Sequence, residues 1–381
     1  MTAAAPQRAA EAWSGLAEGN PVMTTVDTLL RGVGQVMFQN NPLTGLIFLA
    51  GIFVNSGKLG GFGLLGLAAS TLTAYLLGAD RALIRNGLFG FNGILVGIGL
   101  AFFLNYNGLL IGYVILGGAL STVAMMGLAN LFSVWDMPAL TAPFVLTAWL
   151  LLFAVLLFAN LRPNALIVVA PPGTRILPHT ALREALTGAG AIGLTPVNMT
   201  NALFRGIGEV MFQDKLATGV IFLFGIFVNS RISALFALLG SALGALTAWT
   251  VGASGVAVFH GLYGFNGLLA AVALGGIFFV LTWRSAVYAL AAALISALVF
   301  AAISTFLAPI GMPALTAPFV LVTWIFLLAK AGFKALVPVG LADVSTAEAT
   351  LEGYRTGGRG PEPPSPDQPR RPASDTPKAV P

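Results

Sequence analysis

The chain has 381 residues, of which 57% are hydrophobic and only 9% are charged, and its formal net charge is +5. Soluble proteins carry about 25% charged residues, so this composition excludes an ordinary soluble protein and indicates an integral membrane protein. The chain has no cysteine, which excludes disulfides, thiolate metal sites and cysteine nucleophiles.

The chain opens with residues 1–22, a polar lead-in that lacks the continuous apolar core of a signal peptide. A short, glycine-rich segment follows at 26–39. Five apolar segments come next, each suited to a membrane-spanning helix, at residues 44–55, 61–77, 91–104, 109–132 and 143–160. The strand alternation of a membrane β-barrel is absent. The sequence therefore predicts an all-α polytopic membrane protein.

The second half of the chain repeats the first. RGVGQVMFQNNPLTG from Arg31 returns as RGIGEVMFQDKLATG from Arg205, GLFGFNG as GLYGFNG, and MPALTAPFVL unchanged from Met137 at Met312. The spacing is 174 residues in the first two blocks and 175 in the third. We predict a first repeat at 23–160, an exposed linker at 161–196, a second repeat at 197–340 and a disordered, proline-rich tail at 341–381.

Each repeat contains five predicted crossings, and an odd number forces the two copies into opposite orientations. We therefore predict two inverted-topology repeats of five transmembrane helices, each with a re-entrant pore half-helix, and a solute site at the repeat interface. Ten crossings place both termini on one side. The positive-inside rule favours the cytoplasm.

The glycine-rich segments, which carry Gln35 and Glu209, are poor lipid-facing helices. Entering the membrane from opposite faces and ending near its middle, they would leave their last carbonyls without intrahelical donors. Those carbonyls, with Gln35 and Glu209, would line a pore with acceptors for a solute rich in N–H groups. The alternative is that the two side chains form hydrogen bonds between helices.

Aromatic side chains recur beside this polar pair. Phe38 and Phe212 follow three residues later, and the helical period predicts that they share the polar face. A second set lies one turn apart in the FNG blocks, Phe91 with Leu95 and Phe265 with Leu269. Flat apolar walls beside acceptor rows form a slot for a flat molecule with polar edges. The alternative is ordinary core packing.

Thr141 and Thr316 each lie between two prolines of MPALTAPF. Residues related by a two-fold axis in the membrane approach each other near the midplane, so two threonines there would form a neutral constriction. The alternative is that their hydroxyls satisfy carbonyls freed by the prolines. We expect Asn92 and Asn266 to hold the bends of the FNG blocks.

Catalytic and metal-binding patterns are not found in the sequence. There is no nucleophile–base arrangement, phosphate-binding loop or HExxH motif, and His179 and His260 lack partners for a metal site. We therefore expect no enzyme activity, no metal and no cofactor. The positive charge is typical of membrane topology rather than nucleic-acid binding.

The blocks NPLTG, GLFGFNG/GLYGFNG and MPALTAPF resemble the urea transporter family over residues 20–340. The resemblance implies a passive, channel-like urea transporter, assembled as a homotrimer with one pore per protomer. The short ends are similar to those of bacterial members, which implies the bacterial inner membrane. The family's pore positions fall on Gln35 and Glu209, on Phe38, Phe91, Leu95, Val210, Phe212, Phe265 and Leu269, and on Thr141 and Thr316.

Other functions stay open on the sequence alone. The pore could conduct another small neutral solute, such as ammonia or short amides. An ion-coupled transporter would need an ion site, for which only Glu209 qualifies. A receptor or structural membrane protein would not explain the symmetric polar pairs.

Overall fold

The computed structural model describes residues 19–167 and 195–357, together with residues 13, 15 and 193. Within these residues the regular structure is helical, apart from two isolated β-bridges. This is a multi-pass helical membrane protein, as the composition predicts. Most of the N-terminal lead-in up to residue 18, most of the linker, and residues 358–381 of the tail lie outside the described residues.

The same order of helices occurs twice. The first half consists of α1 Pro21–Gln35, α2 Pro42–Asn55, α3 Gly57–Leu76, α4 Arg81–Arg85, α5 Gly90–Phe103, α6 Gly108–Ser133 and α7 Ala142–Ala154. The second half consists of α8 Pro196–Glu209, α9 Leu216–Asn229, α10 Arg231–Thr250, α11 Gly255–Phe259, α12 Gly264–Val272, α13 Trp283–Leu307 and α14 Ala317–Leu328. Every apolar segment predicted in the first half forms a helix.

The helices differ in length. Four of those described are long and apolar enough to cross a membrane by themselves, α3, α6, α10 and α13. The other apolar helices are shorter. The 14 residues of α2 measure about 21 Å at 1.5 Å per residue, against a hydrocarbon core about 30 Å thick. Two of the shorter helices, α5 and α12, are buried along nearly their whole length, so protein rather than lipid surrounds them.

Side-chain caps begin many of these helices. Ser56 accepts a hydrogen bond from Leu59 N at the start of α3, and Ser230 accepts one from Ser233 N at the start of α10. Asn107 caps α6 in the same way. Backbone N–H groups within a bilayer find no water, so such caps satisfy donors that would otherwise be unpaired.

Contacts between the two halves are reciprocal. The rings of Phe48 and Phe222 lie 5.0 Å apart between α2 and α9. Beside them, Thr44 donates to the Gly225 carbonyl at 2.8 Å, and Thr218 donates to the Gly51 carbonyl at 3.4 Å. Contacts in which equivalent residues exchange partners are those of a two-fold arrangement.

The change in repeat spacing has a local structural cause. Leu269 follows Leu95 by 174 residues, whereas the bridge of Phe279 with Pro338 follows that of Leu104 with Pro163 by 175. Between these points α12 ends in a π-helical turn, Ala273–Ile277. A π turn accommodates one additional residue in a helix, so the second half carries its extra residue there.

The first part of the segment predicted as a disordered tail is helical. A 3-10 turn at Leu341–Asp343 is followed by α15, Ala347–Arg355. Thr346 caps α15 by accepting from Ala349 N, and Ala347 is buried. Burial of this one small apolar residue and a capped first turn order a segment whose polar composition alone predicts disorder.

Candidate functional site

Helix α1 ends at Gln35 in the middle of the repeated RGVGQVMFQ block. The N–H groups of Val36 and Met37 turn to the Gly34 carbonyl instead of continuing the helix. The carbonyls of Gly32 and Val33 thereby lose their helical donors. Gln35 itself donates from Nε2 to the Asn86 carbonyl at 3.0 Å and keeps its amide oxygen as an acceptor.

Helix α8 ends in the same way at Glu209. The N–H groups of Val210 and Met211 turn to the Gly208 carbonyl. The carbonyls of the two residues before Gly208 therefore also lack helical donors. In each half, backbone carbonyls without helical donors thus precede a side chain that carries a carbonyl oxygen.

Glycines place these two helix ends against the backbone of the FNG blocks. A Cβ on Gly87 would clash with the backbone nitrogen of Gly32, and a Cβ on Gly261 would clash with that of Gly206. Gly87 and Gly261 also have φ of +72° and +78°, which glycine adopts without strain. The glycine pattern therefore reflects backbone-to-backbone contact between the helix ends and the FNG blocks.

Phe38 and Phe212 lie beyond the helices that carry the polar pair. The prediction that they share a helical face with Gln35 and Glu209 is wrong, because each helix has already ended. Their φ angles are +62° and +60°, in the left-handed region that costs about 1–2 kcal/mol for a residue with a Cβ. Backbone strain of this kind persists where surrounding contacts impose it, and it occurs frequently at functional sites.

Each of these phenylalanines projects into the opposite half. The Phe38 ring lies 5.8 Å from Phe278 and 6.0 Å from Phe319, edge to face in both cases. The Phe212 ring lies 5.8 Å from Phe103 and 6.2 Å from Phe144 in the same geometry. Two equivalent aromatic clusters therefore cross between the halves.

The remaining predicted slot residues lie in the packed interior. Phe91 and Phe265, in the first turns of α5 and α12, are each 7% exposed. Three others are almost fully buried, Leu95, Leu269 and Val210. Val36, the counterpart of Val210, is buried as well, and the repeat could have identified it.

Thr141 and Thr316 meet directly. Their hydroxyl oxygens lie 2.7 Å apart, and both residues are buried. The residues before them, Leu140 and Leu315, have φ of +54° and +52°. The indole nitrogens of the tryptophans in α7 and α14 each donate to a proline carbonyl of the other MPALTAPF block, Trp149 to Pro313 and Trp324 to Pro138.

Asn92 and Asn266 hold the starts of α7 and α14. Asn92 accepts from Phe144 N at 3.1 Å, and Asn266 accepts from Phe319 N at 3.0 Å. Asn266 also donates to the Leu315 carbonyl. The structural role expected for these asparagines agrees with this geometry, since each connects an FNG block to the MPALTAPF segment of its own half.

Two polar connections between the halves were missed from the sequence. Asn229 donates to Oε1 of Gln39 at 2.8 Å, and Asn55 donates to Oε1 of Gln213 at 2.8 Å. Gln39 and Gln213 are fully buried. The sequence did contain a signal for these two contacts, because the FQ pair and the VNS ending of α2 and α9 recur in both halves.

The surroundings of Gln35 and Glu209 differ in charge. Near Gln35, Arg31 forms an ion pair with Asp27 at 2.8 Å. In the second half, Arg205 lies 3.1 Å from His260 and stacks over Phe259. Among the described residues no group of three or more His, Asp or Glu side chains is arranged to bind a metal.

Known proteins are similar to this chain over most of its length. A family model described as urea transporter matches residues 26–331. Urea transporter 1 of Rattus norvegicus is 33% identical over 330 residues, 86% of this chain and 83% of that protein. Urea transporter 1 of Ovis aries is 35% identical over 306 residues, 80% of this chain and 76% of that protein.

The family consists of transporters rather than enzymes, in agreement with the sequence prediction. The match extends from α1 through α14 and includes both copies of every block described above. The chain belongs to the urea transporter family.

Proposed function

We propose that this protein conducts urea passively through a pore between its two halves. The observation that carries the proposal is the contact of Thr141 with Thr316 at 2.7 Å, flanked by an equivalent aromatic cluster from each half. The two glycine-rich helices that end at Gln35 and Glu209 supply acceptors on either side. Family membership supports urea as the solute.

The two halves are proposed to be inverted repeats. Each half contains five apolar helices, besides the less apolar helix α1 or α8 and the five-residue helix α4 or α11. An odd number of crossings reverses the second copy, and the reciprocal contacts fit a two-fold axis lying in the membrane plane. Both termini then lie on the same side, which the positive-inside rule assigns to the cytoplasm.

The acceptor rows match the chemistry of urea. Urea is planar and neutral, and it carries four N–H donors around one carbonyl. Removing water from unpaired donors costs kcal/mol amounts for each group unless other acceptors replace it. The free carbonyls at the end of α1, the Gln35 amide oxygen and the Glu209 carboxylate would supply these acceptors.

Aromatic and aliphatic side chains would form the walls between the acceptors. Phe38 and Phe212 provide ring faces that cross from one half to the other. Five buried side chains would complete the two flat slots: Phe91, Leu95, Val210, Phe265 and Leu269. A dry and narrow slot has no groups that could replace the hydration shell of an ion, so ions would be excluded.

The two threonines would form the midpoint of the route. Their hydroxyls are hydrogen-bonded to each other, and a passing urea would replace that bond with one to each hydroxyl. Both partners are neutral, so the exchange involves no transfer of charge. The resemblance further supports a homotrimer in a bacterial inner membrane, with one such pore in every protomer.

An ion-coupled transporter is the second candidate, because Glu209 is an acid at the end of a pore helix. Stopped-flow urea flux into proteoliposomes, with and without sodium or proton gradients, separates the two. We expect flux to follow the urea gradient alone. Uphill urea accumulation driven by either ion would contradict the passive proposal. Parallel measurements with short amides and ammonia would test selectivity.

A further inference from the structure

The extra residue of the second half creates a docking place for α15. The π turn Ala273–Ile277 includes Gly276, and a Cβ on this glycine would clash with Cβ of Ala347. Ala347 is 1% exposed although it begins an otherwise polar helix. The absence of a side chain at Gly276 is therefore what allows α15 to pack on the turn.

A hydrogen bond fixes the next residue of α15. Glu348 Oε1 accepts from the backbone nitrogen of Ile232 at 2.9 Å, in the first turn of α10. A carboxylate that accepts from the first turn of a helix is stabilised both by the hydrogen bond and by the helix dipole. This side chain therefore fastens α15 to a membrane-spanning helix of the second half.

The chain that leads to α15 is paired with the segment after the π turn. Val280 N donates to the Val337 carbonyl at 2.9 Å, and Val339 N donates to the Phe278 carbonyl at 3.0 Å. The Phe278 ring lies against Phe38 in the candidate slot. The route from α15 to the slot is thus one short paired segment.

The first half shows the same pairing without a π turn. Asn164 N donates to the Phe103 carbonyl at 2.9 Å, and Asn105 N donates to the Arg162 carbonyl at 3.0 Å. Here α5 runs without interruption from Gly90 to Phe103. Phe103 contacts Phe212 at the same 5.8 Å that separates Phe278 from Phe38. The second half reaches the same ring geometry through an extra residue covered by α15.

We propose that α15 is a docked latch, in which Glu348 fastens α15 to α10 while Ala347 packs on the π turn, and that this docking positions Phe278 against Phe38. These are positioning residues, because they act through Phe278 and lie outside the aromatic cluster. The effect on solute selection rests on the proposed urea pore. The docking of α15 does not depend on that pore, so the docking and its effect on solute selection can be tested separately.

The docking is tested by thiol labelling, for which a chain without cysteine provides a clean background. Full-length Ala347→Cys in membranes is treated with a maleimide, and Thr356→Cys, on an exposed residue at the end of the same helix, is the control. We expect protection of the first thiol and rapid labelling of the second. Adding Gly276→Leu should remove the protection. Equal labelling of the two single variants would overturn the docked latch.

The positioning is tested by the ratio of N-methylurea flux to urea flux in proteoliposomes. Glu348→Leu loses the acceptor and should raise this ratio by about threefold or more. The reason is that a well-fitted pocket discriminates roughly tenfold against one additional methyl group, and a loosened slot would lose part of that discrimination. The separate variant Glu348→Gln keeps an oxygen that accepts from Ile232 N, so its flux ratio should equal the wild-type ratio. Glu352→Leu, on the exposed face of α15, should leave the ratio unchanged.

The possible results distinguish a failure of the docked-latch proposal from a failure of the urea-pore proposal. A ratio that stays at the wild-type value in Glu348→Leu would overturn the positioning role. A uniform loss of both fluxes would overturn it as well, because such a loss indicates only a smaller amount of folded protein. Absence of urea flux in the wild type would overturn the proposed function, while the thiol labelling would still decide the docking.

Discussion

The hydroxyl oxygens of Thr141 and Thr316 lie 2.7 Å apart, although 175 residues separate them in the chain. Each threonine occupies the same place in its copy of MPALTAPF, so this contact joins a residue to its own counterpart. Two equivalent residues touch only where they lie beside the axis that relates the halves. The contact therefore marks the centre of the repeat interface, and the aromatic clusters lie on either side of it.

Replacing either threonine by valine removes a hydroxyl at nearly constant volume. We expect Thr141→Val and Thr316→Val each to slow urea flux by about tenfold, because one buried hydroxyl is left unpaired and a loss of about 1–3 kcal/mol is typical for such a group. Initial flux per reconstituted protein measures the effect, and the yield of folded protein should be unchanged.

Thr147→Val is the matched control for this pair. Thr147 lies in α7 as well, and its hydroxyl is buried without a hydrogen-bond partner among the residues that the structure describes. Its loss should leave flux intact. If both threonine variants conducted like the control, the hydrogen bond between Thr141 and Thr316 would serve only to join the two halves.

Glu209 and Gln35 occupy equivalent places, with a carboxyl group in one half and an amide in the other. We expect Glu209→Gln to keep at least about half of the urea flux, because an amide oxygen already serves this place in the first half. Glu209→Leu and Gln35→Leu remove the acceptor and should each lose most of it. Initial urea flux near neutral pH distinguishes these cases. Equal inactivity of Glu209→Gln and Glu209→Leu would show that the charge is needed and would favour ion coupling.

The buried glutamines are expected to stabilise the contact between the halves. Gln39→Leu leaves the partly buried amide of Asn229 without the acceptor that it has at 2.8 Å, and an unpaired amide costs up to about 1–3 kcal/mol when it is fully buried. Thermal unfolding in detergent should therefore shift to lower temperature. Adding Asn229→Leu should recover part of the loss, since both polar partners are then gone. Fully additive losses would rule out a direct energetic connection between the two side chains.

The topology predicts a common side for the two termini. Reporter tags fused before residue 1 and after residue 381 should both report the cytoplasm, because two sets of five crossings return the chain to its starting side. A tag inserted in the 161–196 linker should report the opposite side. Termini found in different compartments would contradict the inverted arrangement of the halves.

The sequence by itself determined the class of the protein and its internal duplication. Low charge and long apolar segments identify a helical membrane protein, because burying charge in a bilayer is costly regardless of the fold. Three repeated blocks identify two equivalent halves and select Thr141 and Thr316 as a pair. Repetition also singled out Gln35 and Glu209, and the acceptor role proposed for them follows from a polar side chain present in both copies of a membrane segment.

Only the tertiary structure decided how the chain behaves where regular helices end. Periodicity extends α1 as far as Phe38, but the helix ends at Gln35 and the Phe38 ring contacts Phe319 of the opposite half. The pairing of Gln39 with Asn229 joins residues 190 positions apart, and the docking of α15 depends on one glycine in a π turn. These features were not predictable from local patterns, because each is fixed by contacts between segments that meet only after the two halves have packed together.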